Sequence, residues 1–401
     1  MKQTSTIPGA IDRRDSAAAR LETVRAIARR AGQRAAQTEA DRRIHPDTMA
    51  ELRDAGLLRA LQPGQWGGAE IANPDWLDIV IELARECGST AWVYSVLSAH
   101  ATAIACFPPE AQADIWAENP LAVASSAVVP SAMAVSCEGG FRVSGRWSFS
   151  SGCDFAQWAL AGVRPKQPGG EPQAPIFALI PLSGLAIVDD WNVLGLRGTG
   201  SKTLVAEDVF VPSHRTESFN ALLSGTAPGG RAYRQAYFRC PRHAWAPSGL
   251  AAVGVGVALG MVDQFIAYIA ERKIHNGTPM ADLDTIQLKI SESAAEADAA
   301  RRTLKLNTAE ALEEVEATGG LSLSTRARNR RDQAFATRLC VAAVDRLYTA
   351  AGAYALYEDT PLQRGFRDMH AVAGQIVLNF DAAGKSHARL QLGRQPDDIL
   401  L

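Results

Sequence analysis

The hydrophobic period of this 401-residue chain changes twice, from helical to alternating and back to helical, and that order excludes most folds before any single residue is weighed. From Asp15 to about Asn119, apolar residues recur in three- and four-residue steps, as at Leu21, Val24, Ile27 and Ala28. His45-Pro46-Asp47 breaks that run, and Thr48 to Ala55 is a short helix closed by Gly56. Trp76 to Cys87 is a further helical run ending at Gly88, and Thr90 to Cys106, apolar at nearly every position, is expected to be a buried helix. Between Leu121 and Pro212 the period is two. Met133 to Cys137 and Phe141 to Ser144 flank Gly139-Gly140 as a hairpin, and Trp158 to Val163, Ile176 to Ile180, Leu185 to Val188 and Thr203 to Val211 are further strands. Six or so strands predict a small barrel or sandwich. From Pro247 onward come four long helical runs: Ser248 to Lys273, Asp284 to Ala317, Ser324 to Ala351, and Pro361 to about Arg389. Their Ala-rich faces predict a four-helix bundle. The expected class is α+β, with a helical domain over 1–120, a β-domain over 121–225 and the bundle over 226–401. Ser224 to Arg231 reads as a flexible linker.

Composition narrows the partners. Hydrophobic residues make up 47% of the chain, and 41 Lys+Arg against 43 Asp+Glu leave a net charge of -2, which excludes a disordered chain and argues against nucleic acid. A chain this long can bury about three-quarters of its unfolded surface. Met1 to Arg20 lacks the apolar stretch of a secretory signal, so a cytoplasmic protein is expected. The apolar run Leu250 to Val262 is 13 residues with three Gly, too short for a bilayer, and no membrane partner is expected. Six scattered Cys without CxxC spacing suggest core thiols, with no metal site. Arg326, Arg328, Arg330 and Arg331, at a helix start, read as a solvated or intersubunit face that calls for partner acids or phosphate.

Two local motifs carry chemistry. Trp147-Ser148-Phe149-Ser150-Ser151-Gly152-Cys153-Asp154 follows a predicted strand. Hydroxyls at a strand end, beside aromatic rings and a Gly, suit an isoalloxazine ring, although an ordinary Ser-rich turn has the same spacing. Gly195-Leu196-Arg197-Gly198-Thr199-Gly200-Ser201-Lys202 offers backbone N–H groups and two hydroxyls without the order of a P-loop. Trp147, Phe149, Ser150, Ser151, Thr199 and Ser201 are therefore the candidate cofactor-binding residues. Gly254-Val255-Gly256-Val257-Ala258-Leu259-Gly260 lies in a helical run after no strand, so it is no dinucleotide fingerprint and direct NAD(P)H oxidation is not expected.

Helices, a β-domain and then a bundle is the architecture of the acyl-CoA dehydrogenase superfamily, and the motifs make the resemblance specific. Leu196 to Ser201 running into Glu207-Asp208-Val209-Phe210-Val211-Pro212 resembles its flavin-proximal loop and strand. Trp147 to Cys153, Cys87-Gly88-Ser89-Thr90-Ala91-Trp92, Pro361-Leu362-Gln363-Arg364 and Phe366-Arg367-Asp368-Met369-His370 resemble one branch, the oxygenase components of two-component flavin-dependent monooxygenases. Those include the hydroxylases of p-hydroxyphenylacetate and of seco-steroid phenols. A dehydrogenase of the superfamily would carry a Glu base after the Arg-Asp pair, where this chain reads Met369 to Gln375; Glu358 reads as a loop carboxylate.

The resemblance implies an enzyme that takes reduced FMN or FAD, with FMNH2 slightly preferred, from a separate reductase. It implies reaction with O2 to a C4a-hydroperoxyflavin and hydroxylation of a small phenolic or other aromatic substrate. It further implies that Ser151 holds the flavin N5–H, that His100 and Ser126 face the substrate oxygen, and that His370 lies near the flavin. Arg272 is implied to cross a subunit interface to a flavin phosphate, by guanidinium–phosphate pairing, in a homotetramer. An N- or S-oxygenase on the same scaffold, an acyl-CoA dehydrogenase-type oxidoreductase and a non-enzymatic flavin-binding protein are the alternatives.

Overall fold

The computed structural model describes residues 16–398 and 400–401, so most of the N-terminal segment read for a signal lies outside the described residues. The chain opens on α1 (Ala17–Gln33), where the Ser16 hydroxyl accepts the Ala19 N–H at 3.1 Å as an N-cap. α2 (Ala35–Ala40), α3 (Pro46–Asp54), α4 (Asn73–Glu86), α5 (Gly88–Ile104) and α6 (Pro109–Trp116) follow. Every residue of α5 except Val96 is buried, as its uniform apolarity predicts. Its polar side chains are satisfied inside the fold: Ser98 donates to the Tyr94 carbonyl at 2.7 Å and accepts the Trp76 indole at 2.9 Å.

The alternating segment forms β1 (Ala124–Cys137), β2 (Gly140–Ser150), β3 (Trp158–Lys166), β4 (Ile176–Pro181), β5 (Ala186–Val188), β6 (Lys202–Pro212) and β7 (Thr216–Ser218) in one mixed sheet of order β5-β6-β2-β1-β3-β4-β7. The hairpin expected at Gly139-Gly140 joins β1 and β2. β1 begins nine residues before the expected Met133, and β7 was not foreseen at all, since three residues carry too little pattern to read. β1 and β3 are parallel, whereas the other neighbouring pairs are antiparallel. A parallel pair needs a crossover. Here the chain leaves along β2 and returns through residues 151–157 across the start of β1.

Residues 224–231 are not a flexible linker. They close α7 (Phe219–Ser224) and pack on the end of α5: a Cβ on Gly229 would lie 2.1 Å from the Phe107 carbonyl, and one on Gly225, at φ 74°, 2.2 Å from that of Arg239. Composition marks a chain reversal here but cannot show that the reversal is buried.

The bundle comprises α8 (Arg242–Ile269), α9 (Asp284–Thr318), α10 (Leu323–Ala351), α11 (Pro361–Ala373) and α12 (Phe380–Gln391). α8 is long and apolar enough to cross a membrane, and here it is a core helix against α4, α9, α10 and α11. The run expected from Pro361 to Arg389 breaks in two, because the Gln375 side chain accepts the Val377 N–H and Asn379 caps α12 through the Ala382 N–H. Five of the six thiols are buried and Cys137 is exposed. The arginine cluster finds acids: Arg328 meets Glu310 at 2.7 Å, and Arg330, only 1% exposed, meets Asp398 at 2.9 Å. Arg330 is thus a core residue, where the sequence suggested a solvated or subunit face.

Candidate functional site

The start of β1, the end of β2 and the start of β6 meet where the crossover passes, and α5 lies against them. Ser150, paired in register with Lys202, donates to Ser125 at 3.0 Å and ties β2 to β1. The next residue, Ser151, enters the turn. Gly152 follows with φ 71°, and a Cβ there would sit 2.9 Å from Val93 of α5, so the turn lies directly on that helix.

Three hydroxyls from two distant segments form one row in this corner. Thr199 Oγ1 donates to the Leu196 carbonyl at 2.9 Å; Thr199 and Ser201 are 2.7 Å apart; Ser201 and Ser151 are 2.7 Å apart. Trp92 Nε1 of α5 donates to Ser151 at 3.1 Å. All three hydroxyl residues are buried. The loop bearing Thr199 and Ser201 is held from below by α11: Leu196, at φ 51°, gives its N–H to Asp368 Oδ1 at 2.6 Å. A Cβ on Gly195 would meet the Arg367 carbonyl at 2.1 Å, which leaves this approach to glycine. Burial raises the Asp368 carboxyl to about 6, against the pull of the Leu196 N–H and of Arg367 and Arg364.

His100, also on α5, is 5% exposed and its Nδ1 lies 2.8 Å from the Ala124 carbonyl of β1. A carbonyl only accepts, so Nδ1 carries the hydrogen and Nε2 is left as an acceptor. Burial, helped by the Arg242 guanidinium, depresses its pKa to about 3, so the ring is neutral at ordinary pH. Ser126 follows Ala124 by two positions on β1 and so lies on the same face of the strand. His100 and the Ser151 turn thus both adjoin the start of β1, one through the Ala124 carbonyl and the other through the Ser150–Ser125 bond.

A cavity with room for about one water (10 Å³) lies along α5 from His100, lined by Thr102, Cys106, Tyr237, Arg242 and Trp245 among others. Arg242 donates to Thr102 at 3.0 Å, while Tyr237 OH and Trp245 Nε1 are buried without a partner. The lining offers donors and suits an acceptor. No periodicity or motif marked these residues in the sequence.

Residues 15–121 match the model of the acyl-CoA dehydrogenase N-terminal domain, and residues 248–380 that of an acyl-CoA dehydrogenase C-terminal domain. The chain is 40% identical over 373 residues to the FADH(2)-dependent resorcinol hydroxylase oxygenase component of Rhizobium sp., covering 90% of this chain and 91% of that protein. The chain belongs to the acyl-CoA dehydrogenase-like oxygenase components. The crystal structure of 3-HSA hydroxylase from Rhodococcus sp. RHA1 superposes with a TM-score of 0.90 at 35% identity, covering 97% of this chain and 100% of that one. That of XiaF from Streptomyces sp., in complex with FADH2 and glycerol, superposes with a TM-score of 0.89 at 26% identity, covering 95% and 96%.

Within this oxygenase-component chain the other candidates fall apart from the hydroxyl row. Trp147 turns inward to the sheet core, 2% exposed, with its indole N–H satisfied by the Gly162 carbonyl at 2.8 Å. Phe149, at φ 67° and 72% exposed, stands edge-on to Trp191. His370 lies 200° round α11 from Asp368 at 100° per residue, so it leaves the Leu196 loop and meets Asp345 of α10 at 2.9 Å. Arg272 lies beyond the end of α8, stacked 3.8 Å over Tyr268. Glu358 is exposed, in keeping with a loop carboxylate. Trp92 and Asp368 stand inside the sequence motifs, but their partners lie 59 and 172 residues away, beyond what local spacing shows.

Proposed function

We propose that this chain is the oxygenase component of a two-component flavin-dependent monooxygenase, which takes reduced flavin from a separate reductase and hydroxylates an electron-rich aromatic ring, first of all a phenol. The observation that carries the reading is the juxtaposition, on one α5–sheet corner, of a buried hydroxyl row and a neutral histidine with a free acceptor nitrogen. The donor set fits a flavin: Ser151 retains an unfilled lone pair beside Trp92, in a turn held flat on α5 by Gly152.

When bound in reduced form, the flavin supplies the two electrons that let O2 deliver one oxygen atom to the ring while the other leaves as water. The chain's residues do the rest. Ser151 holds the edge of the cofactor. The apolar side chains of Val93 and Leu97, packed at Gly152, keep water from the corner. His100 Nε2 is assigned to accept the phenolic O–H, and the Ser126 hydroxyl to lie beside the same oxygen. A base held near 3 polarises this hydrogen bond without removing the proton outright. Electron density at the ring rises accordingly.

Reduced FMN is the sequence's first choice, whereas the Rhizobium relative is named as FADH2-dependent; the assay uses both. Arg272, with its guanidinium over Tyr268 and Tyr354, is assigned to a flavin phosphate, and His370 to the cofactor's surroundings in an assembled homotetramer. The exposed Tyr354, Leu356 and Tyr357 support such an assembly. Six free cysteines suit a reducing compartment, the cytoplasm. The test is oxygen uptake and hydroxylated product with chemically reduced flavin and a panel of phenols. Turnover with NADH alone, without a reductase, overturns the two-component reading; bleaching of bound oxidised flavin by an acyl-CoA favours the dehydrogenase.

A further inference from the structure

Building on the flavin reading above, we infer that the row Leu196–Thr199–Ser201–Ser151 has a fixed polarity that makes Ser151 an acceptor toward the cofactor, so that the site selects reduced flavin by its N5–H.

A hydroxyl has one hydrogen and two lone pairs. Thr199 lies 2.9 Å from the Leu196 carbonyl, which can only accept, so the Thr199 hydrogen is committed there. The 2.7 Å contact between Thr199 and Ser201 then requires Ser201 to donate. With that hydrogen used, the 2.7 Å contact between Ser201 and Ser151 requires Ser151 to donate. Ser151 is left with two lone pairs, one filled by Trp92 Nε1–H at 3.1 Å, and the other free. Running the row the other way would set the Thr199 oxygen against the Leu196 carbonyl with no hydrogen between them, in a buried site. The carbonyl cannot swing away, because it also accepts the Thr199 N–H at 3.1 Å and the Trp191 indole at 3.4 Å. Trp92 is compatible with either sense, since its N–H fills one Ser151 lone pair in both; the direction is set at the Leu196 carbonyl alone.

The chemistry follows from the free lone pair. N5 of reduced flavin bears a hydrogen and completes the Ser151 shell. N5 of oxidised flavin is itself an acceptor and meets lone pair with lone pair. Thr199 and Ser201 are positioning residues in this scheme: they act on the cofactor through Ser151 and determine which redox state fits.

Anaerobic titrations of oxidised and dithionite-reduced FMN and FAD, read by absorbance and fluorescence, give the ratio of the two dissociation constants. Wild-type protein is expected to bind the reduced form more tightly. In Thr199→Val, which keeps the shape and removes the anchor, and in Ser201→Ala, the Ser151 hydrogen is released to face N5. The ratio should shrink about tenfold in each, lowering the two-electron potential of the bound flavin by about 30 mV. Thr199→Ser keeps the anchor and should keep the ratio. Folded variants that bind flavin with the wild-type ratio overturn the polarity argument while sparing the flavin reading. If Thr199→Val does not fold, Ser201→Ala decides. Wild-type protein that binds neither form overturns the flavin reading and this inference with it.

Discussion

Asp368 Oδ1 accepts the Leu196 N–H at 2.6 Å, so α11 of the bundle fixes a loop that belongs to the sheet. Burial pushes this carboxyl up to about 6, above its unfolded value of 3.8. A raised carboxyl contributes its stability in the protonated form: the contribution is complete below the unfolded value and is lost as pH rises through about 6. The loss amounts to about 3 kcal/mol. Asp368→Asn retains an acceptor for Leu196. Denaturant unfolding of both proteins at several pH values should show the wild type falling behind the variant between about pH 4 and pH 7; parallel curves would remove Asp368 from the balance.

His100 works in the opposite sense. Its pKa is pushed down to about 3, so its stabilising form is the neutral one, present above the unfolded value of 6.5 and lost as pH falls below it. Its ring resonances in NMR should stay constant from about pH 8 down to about pH 5. A midpoint near 6.5 would mean that the ring is solvated. His100→Gln should lower kcat/KM for a phenol by about a hundredfold without introducing a new midpoint in the pH profile.

Removing the Ser151 hydroxyl deletes the partner of Trp92 and, on the proposed reading, the acceptor for the cofactor. Ser151→Ala should consume O2 while releasing hydrogen peroxide in place of hydroxylated product. The ratio of product to oxygen consumed is the measurement, and coupling equal to wild type would refute the role given to Ser151.

Close packing in the core makes a further prediction. A Cβ on Gly256 of α8 would lie 2.4 Å from both the Ala84 side chain and the Ile81 carbonyl of α4. Backbone has to move to admit it, so Gly256→Ala should cost about 1–3 kcal/mol. Thermal unfolding reports this as a lower Tm; an unchanged Tm would mean that α4 and α8 slide apart freely.

What could be read from the sequence follows the range of the interactions. Periodicity is local, so α5 and the alternating strands β2, β3 and β6 were visible, as was the Gly139-Gly140 hairpin. The break between α11 and α12 was missed because it depends on side-chain caps at Gln375 and Asn379 within an otherwise helical pattern. Arg330 was misjudged because its acid lies 68 residues away, near the C-terminus. At the site, the types and order of Ser151, Thr199 and Ser201 were legible. Their joining into one row, with Trp92 at its end, arises only from the strand order. Trp147 illustrates the limit: its spacing fits a cofactor motif, and alternation along β2 turns it into the core.

The crossover between β2 and β3 has a consequence for how such chains can diverge. Residues 151–157 carry Ser151 and also deliver β3 to its parallel place beside β1, where Ala159, Ala161 and Val163 face the sheet core. One residue gained or lost there would exchange the two buried faces of β3, putting Leu160 where Ala159 and Ala161 now pack. Related enzymes should therefore vary this turn by substitution and place their insertions elsewhere, for instance between Lys166 and Ile176, where the chain is exposed and Gly169 has open space around it.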